Sequence, residues 1–141
     1  MTCSALADPT DLLGSWTLER AIDDRAAAEE HRVEGVLTLE LVGPGRVRWS
    51  EAGRWRHPTG DVDVRRDLWL VREDGAGWWV RFDDGRDFHP WIPGEQVVHP
   101  CAPDTYRGVV TGTAESWTVV WEVSGPRKDY TMTTRLTRPA D

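Results

Sequence analysis

The chain has 141 residues, 39% of them hydrophobic, with a formal net charge of −7 and a pI near 5.1. That length fits one domain, residues 1–141, able to bury about 70% of its unfolded surface without disulfide staples. The acidic balance argues against a nucleic-acid partner, which needs a basic face to release phosphate counterions, and no apolar run approaches the about 18 residues of a membrane-spanning helix, so no membrane partner is expected.

The opening residues MTCSALADP lack a basic stretch followed by an apolar one, so no signal peptide is expected. Cys3 and Cys101 are the two cysteines, and a cytoplasmic chain keeps them reduced; the expected location is cytoplasmic. Asp8-Pro9-Thr10-Asp11-Leu12-Leu13 places a capping side chain before proline, enough for one short helical turn that Gly14 ends. Trp16, Leu18, Arg20 and Ile22 then alternate with polar or small residues as a strand does. Residues 23–32, DDRAAAEEHR, have the alanine and glutamate content of a short helix, expected as a lid or connection.

From Val33 onward strands follow quickly. Leu37, Leu39 and Leu41 share one face, and after Gly43-Pro44-Gly45 so do Val47, Trp49, Glu51 and Trp55. Val62, Val64, Arg66, Leu68 and Leu70 form the next strand, and Asp74-Gly75-Ala76-Gly77 signals a hairpin before Trp78, Val80 and Phe82. The prolines between Pro90 and Pro103 remove ladder donors and predict an irregular loop near a barrel mouth. Strands over 106–113, 117–123 and 128–137 complete the chain. The fold class expected is therefore all-β: a single antiparallel up-and-down barrel of about 8–10 strands with a short N-terminal helical turn. A meander must hide its edges, and closure is the usual solution.

Leu12-Leu13-Gly14-Ser15-Trp16, a turn and then Gly-x-Trp opening the first strand, resembles the start of lipocalins and the wider calycin superfamily. The resemblance implies that Trp16 plugs the closed end and that Arg135 or Arg138 packs across it. The segments around Asp84–His89, His99–Tyr106 and Trp121–Tyr130 are also similar to an uncharacterised bacterial group of lipocalin-like domains with no assigned reaction. In the heme-binding nitrobindin branch glycines stand where this chain has Leu18 and Arg20, and no histidine follows His99 here; no heme or other cofactor is expected.

Polar residues on otherwise apolar faces carry the functional reading. Arg20 and Arg66 share the inner face with a single carboxylate, Glu51, which leaves one positive charge needing an internal partner, water or a ligand. An anionic or electron-rich oxygen would supply it, with Trp49, Trp55, Trp78 and Trp121 against the apolar remainder. His89 is either satisfied by a loop carbonyl or turned toward the cavity mouth, and Arg127, Lys128 and Tyr130 form a turn that could bind an anion or pair with nearby aspartates. His99, Cys101 and Asp104 match no compact zinc spacing, so no metal is expected, and Cys101 reads as a small buried hydrophobe. Two uses of the barrel stand side by side. One is a binding protein for a small, partly aromatic or apolar, anionic molecule. The other is a cofactor-free isomerase, cyclase or hydrolase with Glu51, His89 and Tyr106 as acid/base candidates. A barrel filled by its own side chains and used for protein contacts is a third, and the oligomeric state is open.

Overall fold

Side chains that alternate between apolar and polar over long stretches favour extended backbone, since each strand can then turn one face to a core and the other to water. In the computed structural model, which describes residues 6–139, ten such strands form. They are β1 (Gly14–Asp24), β2 (Glu29–Gly43), β3 (Arg46–Arg56), β4 (Val62–Glu73) and β5 (Gly77–Phe82). There follow β6 (Asp87–Pro90), β7 (Val97–Cys101), β8 (Asp104–Gly112), β9 (Ser116–Ser124) and β10 (Asp129–Thr137). A 3-10 turn over Pro9–Leu12, capped by the Asp8 carboxylate on the Thr10 N–H, precedes β1.

All pairings are antiparallel, and the sheet runs β6-β5-β4-β3-β2-β1-β10-β9-β8-β7. The first and last strands close on each other from Thr17↔Thr137 to Asp24↔Tyr130. The barrel is nearly, not fully, closed: β6 and β7 stand at the two ends of the sheet order, with no shared ladder. One side-chain bond spans that seam, from His99 Nδ1 to the Phe88 carbonyl at 2.9 Å.

The core follows the period of two. Trp16 and Leu18 of β1, Leu37 and Leu39 of β2, and Val47 and Trp49 of β3 are buried on the inner face. β2 and β3 approach unusually closely where Gly35 pairs with Gly53; a Cβ on Gly35 would stand 2.2 Å from the Ala52 carbonyl oxygen. Only glycine permits that approach.

One end is plugged by indoles. Trp16 is 0% exposed, donates its Nε1–H to the Leu12 carbonyl at 2.8 Å and meets Trp117 edge to face. Trp49 and Trp91 contact Trp117 in the same geometry, and Trp91 donates to the Leu6 carbonyl. The Arg138 guanidinium lies 3.8 Å from the centre of the Trp16 ring and bonds the Leu13 carbonyl, so Arg138, not Arg135, covers the plug.

Three expectations are corrected. Residues 23–32 form no helix: β1 runs to Asp24, a turn spans 25–28, and β2 starts at Glu29. Asp24 accepts from the Ala27 N–H and the Asp129 carbonyl accepts from Arg25 and Ala26, so hairpin and neighbour contacts outweigh a few tenths of a kcal/mol of helix propensity per residue. The stretch from Pro90 to Pro103 is not all loop, since β7 pairs with β8 from Val97↔Gly108 to Cys101↔Asp104. Pro100 is tolerated because β7 ends the sheet and needs ladder donors on one side alone. Cys101 is exposed, not buried; Cys3 lies outside the described residues.

Candidate functional site

Above the indole plug, three strands set a charged layer across the barrel. Glu51 of β3 is 5% exposed and accepts from Arg20 of β1 at 3.0 Å on Oε1 and from Arg66 of β4 at 2.9 Å on Oε2. Trp49 adds its Nε1–H to Oε2 at 2.9 Å, and Arg20 Nε donates to the buried Thr134 hydroxyl at 2.8 Å. Burial alone would raise the Glu51 carboxyl. The charges of Arg66 and Arg20, with hydrogen bonds from Arg66 and Trp49, outweigh it and hold the pKa below the ordinary carboxylate range. Arg20 is shifted down by burial, and Arg66 pushes the same way while Glu51 opposes. Two guanidiniums thus share one carboxylate, and Arg66 Nε is buried without an acceptor. Asp63 and Asp67 do not neutralise Arg66, because they pair with Arg54 and Arg48.

The layer is completed from β6 by a bulge. Val80 pairs with His89 and Arg81 with Asp87, leaving Phe88 as the extra residue. An extra residue breaks the strict alternation of faces, which lets consecutive side chains both turn inward. Phe88 stacks on Trp121 at 5.0 Å and on Phe82 at 4.6 Å, and His89 meets Trp121 edge on at 5.2 Å. Trp121 lies across β8 only because residue 108 is glycine: a Cβ there would stand 2.6 Å from the indole. His89 is 6% exposed and its Nδ1 lies 2.8 Å from the Pro90 carbonyl. Burial is the largest influence on its pKa, and the charges of Arg66 and His99 act in the same direction; together they exceed the opposing Pro90 bond and push it down to about 4. The ring is therefore neutral at pH 7. A carbonyl can only accept, so Nδ1 carries the proton and Nε2 a lone pair.

Two voids meet at this layer. The outer one, about 590 Å³, opens at the barrel mouth between β4 on one side and β5 to β8 on the other, with Arg66, Leu68, Phe82, Phe88, His99 and Tyr106 on its walls. Asp67, Asp83 and Asp84 reach its rim; Arg48 pairs with the first two and Arg86 with the third. The inner void, about 20 Å³, is lined among others by Arg20, Glu51, Arg66, His89 and Trp121. Arg66, Leu68 and Phe88 border both.

Among the residues singled out in the sequence, Arg20, Trp49, Glu51, Arg66, His89 and Trp121 come together around the inner void. Tyr106 is on the outer wall, where its hydroxyl accepts from Lys128 at 3.0 Å; Lys128 also pairs with Asp104. Tyr130, pushed up to about 12 by burial and then by Tyr106, belongs to the same rim cluster, and Arg127 is exposed. Trp78 sits elsewhere, in a shallow surface cleft with Asp8 and Arg72. His99, Phe82 and Phe88 were not expected in the pocket. His99 and Cys101 line the mouth, but Asp104 is engaged by Lys128, and no metal-binding cluster of three ligands occurs among the described residues. No helix among the described residues is long and apolar enough to cross a membrane.

An all-β, ten-stranded, nearly closed barrel with a plugged end and a hollow one is the class these observations define. The chain belongs to DUF6314, a family of unknown function, whose model matches residues 12–138. No protein of curated function is similar to it in sequence at a significant level. Among solved structures it is similar to the S-type phycobiliprotein lyase CPES from Guillardia theta, with a TM-score of 0.66 at 10% identity over 94% of this chain and 90% of that one. A redesigned β-barrel, mFAP0, bound to DFHBI, gives a TM-score of 0.52 at 13% identity over 91% of this chain and 99% of that one. At such identities the likeness is one of fold.

Proposed function

We propose that the protein is a small-molecule binding protein of the lipocalin-like (calycin) kind, working in the cytoplasm and holding a partly aromatic, anionic ligand at the open end of its barrel. The observation that carries this reading is the Arg20–Glu51–Arg66 group, which places a surplus guanidinium at the floor of an aromatic-walled cavity of about 590 Å³. Arg66 is only half-buried, but its Nε is buried without an acceptor, and a ligand carboxylate, enolate or phosphate at the mouth would pair with its guanidinium through charge-assisted hydrogen bonds. Phe82, Phe88 and Tyr106 would contact the ring of the ligand. Support for a ligand-holding use of such a fold comes from the barrel that binds DFHBI, a small molecule.

An acid/base role fits less well. Glu51 is locked between two arginines and Trp49, and His89 is too weak a base near neutral pH. The test is tryptophan quenching by an aromatic carboxylate series and the matching neutral amides. Saturable binding of the acids is expected, weakened tenfold or more in the amides and in Arg66→Met. Equal affinity of acids and amides, or no change in Arg66→Met, overturns the proposal.

A further inference from the structure

The inner void offers a chemistry different from the mouth. At about 20 Å³ it admits one group the size of a water or hydroxyl. Arg66 borders it and can only donate hydrogen bonds. His89 borders it too, with Nδ1 committed to the Pro90 carbonyl, and its Nε2 has no partner among the described residues. A neutral imidazole with Nδ1 protonated offers only an acceptor at Nε2. A carboxylate has no proton to give it and would set lone pairs against lone pair. A hydroxyl satisfies both walls at once, accepting from a guanidinium and donating to the imidazole.

We infer that the ligand is a hydroxy acid: its anionic oxygen meets Arg66 from the mouth, and a neighbouring hydroxyl enters the inner void and donates to His89 Nε2. Arg66, Leu68 and Phe88 border both voids, so a single layer of side chains separates them and the hydroxyl enters where that layer parts. Phe88, the bulged residue of a four-residue strand at the end of the sheet, is the part of that partition with the least backbone support. This inference rests on the binding reading above and adds the ligand class.

The test uses three matched probes on the full chain: 2-naphthylglycolate, its O-methyl ether and 2-naphthylacetate, titrated by calorimetry. The glycolate should bind at least tenfold tighter than the acetate, and the ether weaker than both, because a methoxy group overfills the void and cannot donate. In His89→Phe the ratio of glycolate to acetate affinity should fall from tenfold or more to about one, and a ratio kept at the wild-type value overturns the inference. Equal affinity for glycolate and acetate in wild type overturns this inference and leaves the binding reading standing. If none of the three binds saturably, the binding reading falls and takes the hydroxy-acid inference with it. Should His89→Phe fail to fold, the wild-type order of the three probes decides alone.

Discussion

The two ends of the barrel are built from the same residue types and differ in what they leave unfilled. At the closed end Trp16, Trp49, Trp91 and Trp117 interlock edge to face, and three of the four indole N–H groups reach an oxygen. At the open end the rings of Phe82, Phe88 and Trp121 stack nearly parallel instead, and such a row walls a space without filling it. Edge-to-face packing consumes volume in three directions, whereas a parallel row leaves one flat face free. The closed end is thus committed to stability, and the open end keeps the space that the proposed binding role would use.

That division predicts separable effects, the largest at the plug. Trp16→Ala should cost about 3–5 kcal/mol, enough to lower the melting temperature by about 10 °C or more or to prevent folding. Calorimetric melting checks this, and a near wild-type melt would remove the plug from the account. Acid should act on the layer above, since His89 titrates at about 4 when folded and near 6.5 when not. The unfolded chain then binds the extra proton first, so this contribution is complete above pH 6.5 and is lost as pH falls toward 4, about 3 kcal/mol in all. Urea midpoints measured across that window should fall, and His89→Phe should flatten the slope.

Gly108→Val sharpens the contrast because it touches both functions. Its side chain would strike the Trp121 ring and cost about 1–3 kcal/mol, while the displaced ring would disturb Phe88 and weaken aromatic ligands. Loss of stability with unchanged binding would show the stack to be irrelevant to recognition. Arg138→Met removes a cation–π contact worth about 0.5–1 kcal/mol at an exposed position and should lower the melt slightly with ligand affinity intact. The smallest effect belongs to Lys128→Met at the rim, where an unchanged melting temperature is expected because surface ion pairs are screened.

Much of this was legible in the chain. Period-two alternation placed Arg20, Glu51 and Arg66 on the inner face, and the Gly14-Ser15-Trp16 start with an arginine near the end anticipated the plug. The orientation of His89 was not legible, because it depends on a one-residue bulge between β5 and β6 that no composition marks. β7 was hidden by its prolines, which exclude a central strand and not a terminal one. The place of His99 on the pocket wall is not legible in the sequence because it is set by the Phe88 carbonyl, eleven residues earlier across the seam. Alternation alone groups Trp78 with the pocket, but barrel stagger carries it away from the mouth.

The missing ladder between β6 and β7 also has a kinetic consequence. Every other strand is held on both sides, whereas these two short ones are each held on one, and among the described residues a histidine side chain makes the hydrogen bond across the gap. Local opening free energies follow such asymmetries. Backbone amides of β6 and β7 should exchange with deuterium well before those of β1, β2 and β10, whose ladders close the barrel through its first and last strands. The wall beside the mouth would then be the part of the molecule that breathes fastest, and the rate at which a guest leaves would be set there, independently of how tightly the floor holds it.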